Sequence, residues 1–213
     1  MSFGGVRPPM KMNFERWQNL MTVFGLADNR AMFNRLIELH AEPHRAYHTA
    51  EHISACLKHL DAAAHLADTP EEIEMAFWFH DAIYNPFSGT NEEDSADMAE
   101  AFLHAQNIAA DICARVKQMI LITKHHAITQ TNDEAIMIDI DLSILGAPAR
   151  IFDQYENNIR KEYRKVPSFI FKPKRRKILK EFLARPRLFQ HDHFHAAWDN
   201  QARENLARAI KNI

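Results

Sequence analysis

The sequence predicts an all-α fold, and three of its features lead to that prediction. Only five glycines occur in 213 residues, alternation of β-branched and polar residues is scarce, and amphipathic segments with helix-capping residues recur along the chain. These segments give a compact bundle of about nine or ten helices, with no internal repeat and no Ser/Gly-rich linker. We expect a flexible N-terminal tail at residues 1–12 and a single helical domain at residues 13–213.

The predicted helices can be placed from their apolar periodicity and their end signals. They lie at residues 14–26, 29–41, 50–66, 69–81, 90–106, 109–126, 131–146, 150–166, 174–184 and 200–210. Thr69 is an expected N-cap, with Pro70 in the first turn and Glu72 completing a capping box. Thr90 and Glu93 repeat that arrangement at the start of the fifth helix.

The later helices are bounded by glycine and proline. Gly146 ends the segment that begins with polar caps at residue 131. Pro148 opens the next helix, and Pro167 breaks it. The predicted fold is therefore helical from end to end.

Composition excludes several classes of protein. A formal charge of −2 gives no support to a nucleic-acid binder, and two cysteines cannot form a disulfide scaffold. No apolar run approaches the ~20 residues of a membrane span, and the first residues lack the apolar core of a signal peptide. We expect a cytoplasmic protein that binds neither membrane nor nucleic acid. Thirteen histidines make a metal site worth seeking.

Polar residues inside apolar segments form an ordered set of candidate ligands. His52 lies in the third helix, one turn after His48 if the helix includes both. His80 and Asp81 follow the aromatic run at residues 77–79, where burial of an ionisable pair is costly unless a partner compensates it. Asp139 and Asp141 lie in another apolar run, and their spacing allows only one of them to face a given site.

Two imidazoles and two carboxylates suit a borderline or hard divalent ion such as Mn, Fe, Mg, Co, Ni or Zn. We expect no cysteine near these positions, which argues against a structural zinc site of the cysteine type. The alternative is that each residue acts alone, as a hydrogen-bonded core histidine or a capping aspartate. An HD dipeptide by itself says little, since a second one occurs at His191–Asp192. The ordered set of H, HD and a later D is much more specific.

These residues resemble the H…HD…D pattern of the HD-domain superfamily of metal-dependent phosphohydrolases. The stretches "RAYHTAEHI", "FHDAIYNP", "NEEDSA", "ITKHH" and "DIDLSILG" are similar to its subgroup of predicted metal-dependent phosphohydrolases. The resemblance implies an HD-type helical domain in which His52, His80, Asp81 and Asp141 bind one divalent ion, or two with further ligands. The "IDLS" stretch is similar to the "ADLS" of related cyclic-nucleotide phosphodiesterases, which favours Asp141 over Asp139.

The stretch "YHTAEH" resembles the "YHxxxH" motif of the same phosphodiesterases. By that analogy His52 is a ligand and His48 is the general acid that protonates the leaving oxygen. Asp81 would both bind metal and orient water.

Other residues near the motifs have two possible roles each. Lys124, His125 and His126 would supply a phosphate-facing cation or a ligand for a second metal. Glu92 would contact water or a second metal, or would only interact with its helix dipole. Arg45 would hold a substrate phosphate or lie on the surface. The basic residues 172–177 are expected at a solvated helix start.

The expected function is that of a metal-dependent phosphohydrolase. Its substrate would be a phosphate ester or anhydride of a nucleotide or another small phosphorylated metabolite. The alternative is a catalytically silent regulatory module that binds a metal or a nucleotide. The sequence leaves the substrate, the metal and the oligomeric state open.

Overall fold

The computed structural model describes residues 12–125 and 129–213, and all the regular structure within these ranges is helical. The ten α-helices are α1 (Phe14–Val23), α2 (Arg30–His40), α3 (Ala50–Ala63), α4 (Pro70–Phe79), α5 (Asn91–Ala105), α6 (Ala110–Leu121), α7 (Asn132–Asp141), α8 (Ala149–Glu162), α9 (Ser168–Leu183) and α10 (Asp192–Asn212). Short 3₁₀ segments follow α3, α6 and α7. The predicted all-α bundle is confirmed.

Two predicted features, the N-terminal tail and the metal ligand His126, fall at the ends of the described ranges. Met12 was assigned to the flexible tail, but its side chain is buried and its backbone amide donates to the Ser54 hydroxyl at 2.9 Å. The folded part therefore includes Met12, and the rest of the predicted tail lies outside the described residues. His126, a predicted metal ligand, also lies outside them.

Helix α4 lies at the centre of the fold. It contacts α1, α3, α5, α6 and α7, and its residues from Met75 to Phe79 are fully buried. The Trp78 ring meets that of Trp17 edge to face at 5.1 Å, and the Phe79 ring stacks on that of Phe102 at 5.6 Å. The C-terminal half of α4 is apolar on all sides, which is typical of a core helix. Its C-terminal end delivers the His80–Asp81 pair into the interior.

The predicted capping boxes are wrong, although both helices begin where expected. The Thr69 hydroxyl donates to Asp133 at 2.6 Å instead of capping α4. Glu72 accepts two hydrogen bonds from the guanidinium of Arg115 at 2.7 and 2.8 Å. Contacts between distant helices have thus replaced a local cap.

At the start of α5 the Thr90 hydroxyl donates to Asp94 at 2.9 Å rather than accepting a backbone amide. Glu93 pairs with Lys124. Helices α5 and α6 share the most extensive contact of any two elements, and this ion pair links α5 to the segment after α6.

The C-terminal helices fix the segment that follows α7. A Cβ atom on Gly146 would lie 2.6 Å from the Cβ of Trp198, so only glycine permits this approach of α10. Asn205 of α10 donates to the carbonyls of Leu145 and Ala147 at 2.9 and 2.8 Å. The end of α7, with Asp141, is held in place by these contacts.

Helix α9 differs from its prediction. It begins at Ser168, so the basic residues 172–177 lie inside it and not at its start. Arg175 among them is buried rather than solvated, and it donates to the Tyr155 hydroxyl at 2.9 Å and to Glu156. None of the helices in the described part of the chain combines the length and apolar character needed to cross a bilayer.

Candidate metal centre

Four side chains from three helices converge on one point. His52 lies in the first turn of α3, His80 and Asp81 directly follow α4, and Asp141 is the last residue of α7. Both imidazoles are buried, and the Asp81 and Asp141 side chains retain 18% and 14% exposure. The histidines are thus fixed by the core, while the carboxylates border an opening.

The donor atoms of these side chains are close neighbours. His52 Nε2 lies 3.1 Å from Asp141 Oδ1 and 3.4 Å from Asp81 Oδ2. His80 Nε2 lies 3.1 Å from Asp81 Oδ2 and 3.5 Å from Asp141 Oδ1. The two Nε2 atoms are 3.2 Å apart.

This spacing fits donors that surround a single ion. Metal–ligand bonds of ~2.0–2.2 Å place neighbouring donor atoms roughly 3 to 3.6 Å apart. Two facing imidazole nitrogens repel each other unless a proton or a cation lies near both. His52, His80 and Asp81 form one group whose donor atoms could hold a divalent ion, and His52, Cys56 and Asp141 form a second.

Hydrogen bonding also orients His80 as a ligand. Its Nδ1–H donates to the carbonyl of Phe77 at 3.1 Å, which directs Nε2 towards the other donors. Burial alone would lower the pKa of His80, but the carboxylates of Asp81 and Asp141 outweigh it and raise that pKa well above its usual value. The negative potential that favours a proton here also favours a metal cation.

Cys56 contradicts the expectation that no cysteine lies near the set. Its Sγ is 3.8 Å from His52 Nδ1, and it groups with His52 and Asp141. Burial raises the pKa of the Cys56 thiol well above its usual value, so the thiol stays protonated. The signal was present in the sequence, since Cys56 follows His52 by one helical turn.

The two aspartates of α7 have different surroundings. Asp139 is fully buried and accepts the backbone amides of Gln190 and His191 at 2.8 and 2.7 Å. Burial raises its pKa to about 7 although these amides lower it. Asp139 thus joins α7 to the start of α10, whereas Asp141 lies with His52 and His80.

His48 lies in the loop before α3 rather than on the helix. Its Nδ1–H donates to Glu162 Oε2 at 2.8 Å, and its ring stacks on Tyr84 at 4.2 Å. Burial alone would lower the pKa of His48, but the charge of Asp81 and the bond to Glu162 raise it. The other ring nitrogen, Nε2, is left for the cavity that His48 lines.

Glu162 is the important residue that the sequence reasoning missed. Its side chain is fully buried and accepts the backbone amides of Ala46, Tyr47 and His48 at 2.8 to 3.1 Å. It also accepts the Tyr84 hydroxyl at 2.7 Å. Burial alone would raise its pKa, but the hydrogen bond and charge of His48, with these amides, hold the pKa at about 2. No local motif marks a contact more than 110 residues away in sequence.

Both predicted roles of Arg45 are wrong. Its side chain is buried and not on the surface, and its guanidinium donates to the carbonyls of Asp81 and Ala82 at 2.6 and 2.8 Å. It also contacts the carbonyl of His48 at 3.1 Å. Arg45 therefore fixes the backbone beside the candidate metal centre, and it is not among the residues that line the adjacent cavity.

A cavity of about 890 Å³ opens beside the metal centre. His48 and Asp141 line it, as do the predicted residues Glu92, Lys124 and His125. The Lys124 ammonium donates to the carbonyl of Gly89 at 2.6 Å and to Glu93, so it is already engaged. Glu92, in the first turn of α5, faces this space without a side-chain hydrogen bond to the described residues.

Comparisons of the chain with models of protein families, with curated proteins and with solved structures found no match.

Proposed function

We propose that this chain is a metal-dependent phosphohydrolase of the HD-domain type. The observation that carries the proposal is the convergence of His52, His80, Asp81 and Asp141, with donor atoms 3.1 to 3.5 Å apart, beside a ligand-sized cavity. The order of these residues along the chain is that of the H…HD…D motif. The substrate would be a phosphate ester or anhydride of a nucleotide or another small phosphorylated metabolite.

The donor set supports Mn, Fe, Mg, Co, Ni or Zn as the bound ion. A divalent ion in this position would supply Lewis-acid polarisation of a phosphoryl oxygen and would activate water. Because Asp141 lines the cavity, an ion held by these residues would be reachable by a substrate bound there. Asp81 and Asp141 are the partly exposed members of the set, which also suits their carboxylates to orient water.

His48 supports the proton transfer that such a reaction needs. Its Nδ1–H is held by Glu162, so the imidazole is fixed in orientation and tautomer, and His48 lines the cavity proposed for the substrate. A proton on Nε2 would pass to the leaving oxygen as the phosphorus–oxygen bond breaks. Glu162 acts through His48 and is therefore a positioning residue.

The test is phosphate release from a panel of nucleotides, dinucleotides and simple phosphate esters, with Mn, Mg, Co, Ni or Zn added in turn. Asp81→Ala is the decisive variant. Asp192→Ala is its matched control, because His191–Asp192 is the same dipeptide and the Asp192 side chain is 94% exposed. We expect metal-dependent release that Asp81→Ala abolishes and Asp192→Ala leaves unchanged.

Equal release by the Asp81→Ala protein would refute the proposal. Absence of release from every compound, while the wild-type chain still binds metal and Asp81→Ala does not, would favour the catalytically silent regulatory module. Metal binding is measured independently by the metal content of the purified protein and by its shift in melting temperature.

A further inference from the structure

The cavity beside the metal centre restricts the substrate further, an inference that rests on the proposed function. Its 890 Å³ is far more than a bare phosphate needs and lies within the range that holds a drug-sized ligand, about 300–1,000 Å³. His48 and Asp141 form part of its floor, and α9 forms one wall. The phosphate end of a substrate would therefore occupy only a small part of the space.

Aromatic and aliphatic side chains form a large part of the remaining lining, together with charged and polar ones. Seven tyrosine or phenylalanine side chains line it: Tyr47, Tyr84, Phe87, Tyr155, Tyr163, Phe171 and Phe182. Phe87 and Ile178 are 61% and 42% exposed, although both lie at the cavity. Large apolar side chains left in contact with water inside a cavity gain most from a ligand with a flat apolar surface.

Some of these rings are held in place before any ligand binds. The Phe171 ring lies 5.9 Å from that of Tyr163, and the Arg160 guanidinium covers it at 4.7 Å. The Tyr155 ring meets that of Tyr47 edge to face at 4.6 Å. The aromatic lining is therefore a largely preformed surface, which lowers the entropic cost of binding a rigid ring.

Most cations that line the cavity already have ion-pair or hydrogen-bond partners in the protein, so the lining is a poor match for a chain of phosphates. Lys124 is bonded to Glu93, Arg175 to Glu156, and Arg185 to the carbonyl of His125 at 3.3 Å. Lys174 is the lining cation with no ion pair or hydrogen bond to the described residues. Besides the candidate ligand Asp141, two carboxylates, Glu92 and Glu181, line the same space. The additional phosphates of a triphosphate or a tetraphosphate would therefore meet a lining with no excess of positive charge.

We propose that the site takes a phosphate monoester of nucleoside size: a single phosphate at the metal centre and a flat aromatic ring between Phe87 and the α9 wall formed by Phe171 and Ile178. Charge and shape both favour this class over nucleoside triphosphates and over sugar phosphates. Sugar phosphates carry a single phosphate but lack the aromatic face that these side chains would cover.

The test measures ligand binding by calorimetry in the His48→Asn background, which retains the α9 wall and prevents turnover. With Mn²⁺ present, the probes are adenosine 5′-monophosphate, adenosine 5′-triphosphate, glucose 6-phosphate and inorganic phosphate. We expect the nucleoside monophosphate to bind at least about tenfold more tightly than the triphosphate and the sugar phosphate. Tighter binding of the triphosphate, or equal binding of the sugar phosphate, would overturn the inference.

The wall is tested by Phe171→Ala and Ile178→Ala, each expected to weaken binding of the nucleoside monophosphate by about five- to tenfold. Binding of inorganic phosphate should stay within about twofold, since it does not reach the wall. Ile151→Ala is the matched control, because Ile151 is 45% exposed and does not line the cavity. Unchanged nucleotide binding in both wall variants would also overturn the inference.

Failure of this inference differs from failure of the proposed function. If wild-type chain hydrolyses phosphate compounds with added metal but binds mono- and triphosphates alike, only the substrate assignment fails. If no phosphate compound binds or is hydrolysed, both fail together.

Discussion

Two clusters of charged side chains in this fold balance their charges differently. Arg16 donates to both oxygens of Asp61 and both oxygens of Glu74 at 2.7 to 2.8 Å, so a permanent cation of the chain satisfies both acids. In the candidate metal centre, Asp81 and Asp141 face His52 and His80, whose charges depend on a proton. The guanidinium makes the first cluster a fixed structural contact. The second cluster has no permanent cation among these four side chains, which is what its proposed role in binding a metal ion requires.

Removing a donor from the candidate metal centre should cause the largest change in Mn²⁺ affinity. We expect Asp141→Ala to weaken Mn²⁺ binding by about a thousandfold, roughly 4 kcal/mol, because it removes one of four donors. Asp139→Asn should leave Mn²⁺ affinity within about twofold, since its carboxylate binds the amides of Gln190 and His191. Calorimetric titration with Mn²⁺ measures both variants, and equal losses would show that Asp141 has no special part in the site.

Removing the Arg16 side chain should lower the stability of the fold and leave metal affinity unchanged. We expect Arg16→Ala to lower the free energy of unfolding by about 3 kcal/mol, because it leaves the poorly exposed Glu74 without its cation. Arg208→Ala is the control, since its pair with Asp153 is more exposed and should contribute less than about 1 kcal/mol. Urea denaturation with and without Mn²⁺ checks the prediction, which a large fall in Mn²⁺ affinity in Arg16→Ala would contradict.

Replacing Glu162 should have a smaller effect on stability than replacing Arg16, and that effect should depend on pH. Its pKa falls from an ordinary 4.5 to about 2 in the folded chain, so its ionisation stabilises the fold above pH 4.5, and this contribution is lost as the pH falls towards 2. We expect Glu162→Gln to cost roughly 2 kcal/mol at pH 7, with the two unfolding curves converging in acid.

The Glu162→Gln variant also distinguishes an effect on the proposed acid His48 from an effect on metal binding. Because Glu162 fixes His48 and touches none of the four donors, turnover should fall in Glu162→Gln while Mn²⁺ affinity is retained. A parallel loss of metal binding would mean that Glu162 supports the whole centre rather than His48.

The sequence predicted what depends on local periodicity. Apolar spacing identified the helices, and the rarity of charged residues in apolar runs singled out His80, Asp81 and the pair Asp139 and Asp141. The choice of Asp141 over Asp139 came from the resemblance of the "IDLS" stretch to a known motif. The capping boxes at Thr69 and Thr90 failed because distant acids and cations compete for the same side chains. Local propensity cannot reveal a partner that only tertiary packing brings near.

The residues around the centre were harder to predict for the same reason. Arg45 is an arginine in a loop, and nothing in its neighbours shows that it binds the carbonyl of Asp81, 36 residues later. Glu162 has the helical spacing of any amphipathic segment, so its burial against the His48 loop depends on how α8 docks. Cys56 was predictable, since the helical repeat places it one turn from His52.

The position of Glu162 in the chain has a consequence for the order of assembly. All four donors of the metal centre precede residue 142, whereas the carboxylate that orients His48 belongs to α8. During synthesis from the N-terminus, the ion-binding groups therefore emerge before the residue that fixes the proposed acid. Because α10 also fixes the end of α7 that carries Asp141, both the candidate ligand set and the proposed acid would be complete only after the C-terminal helices have docked.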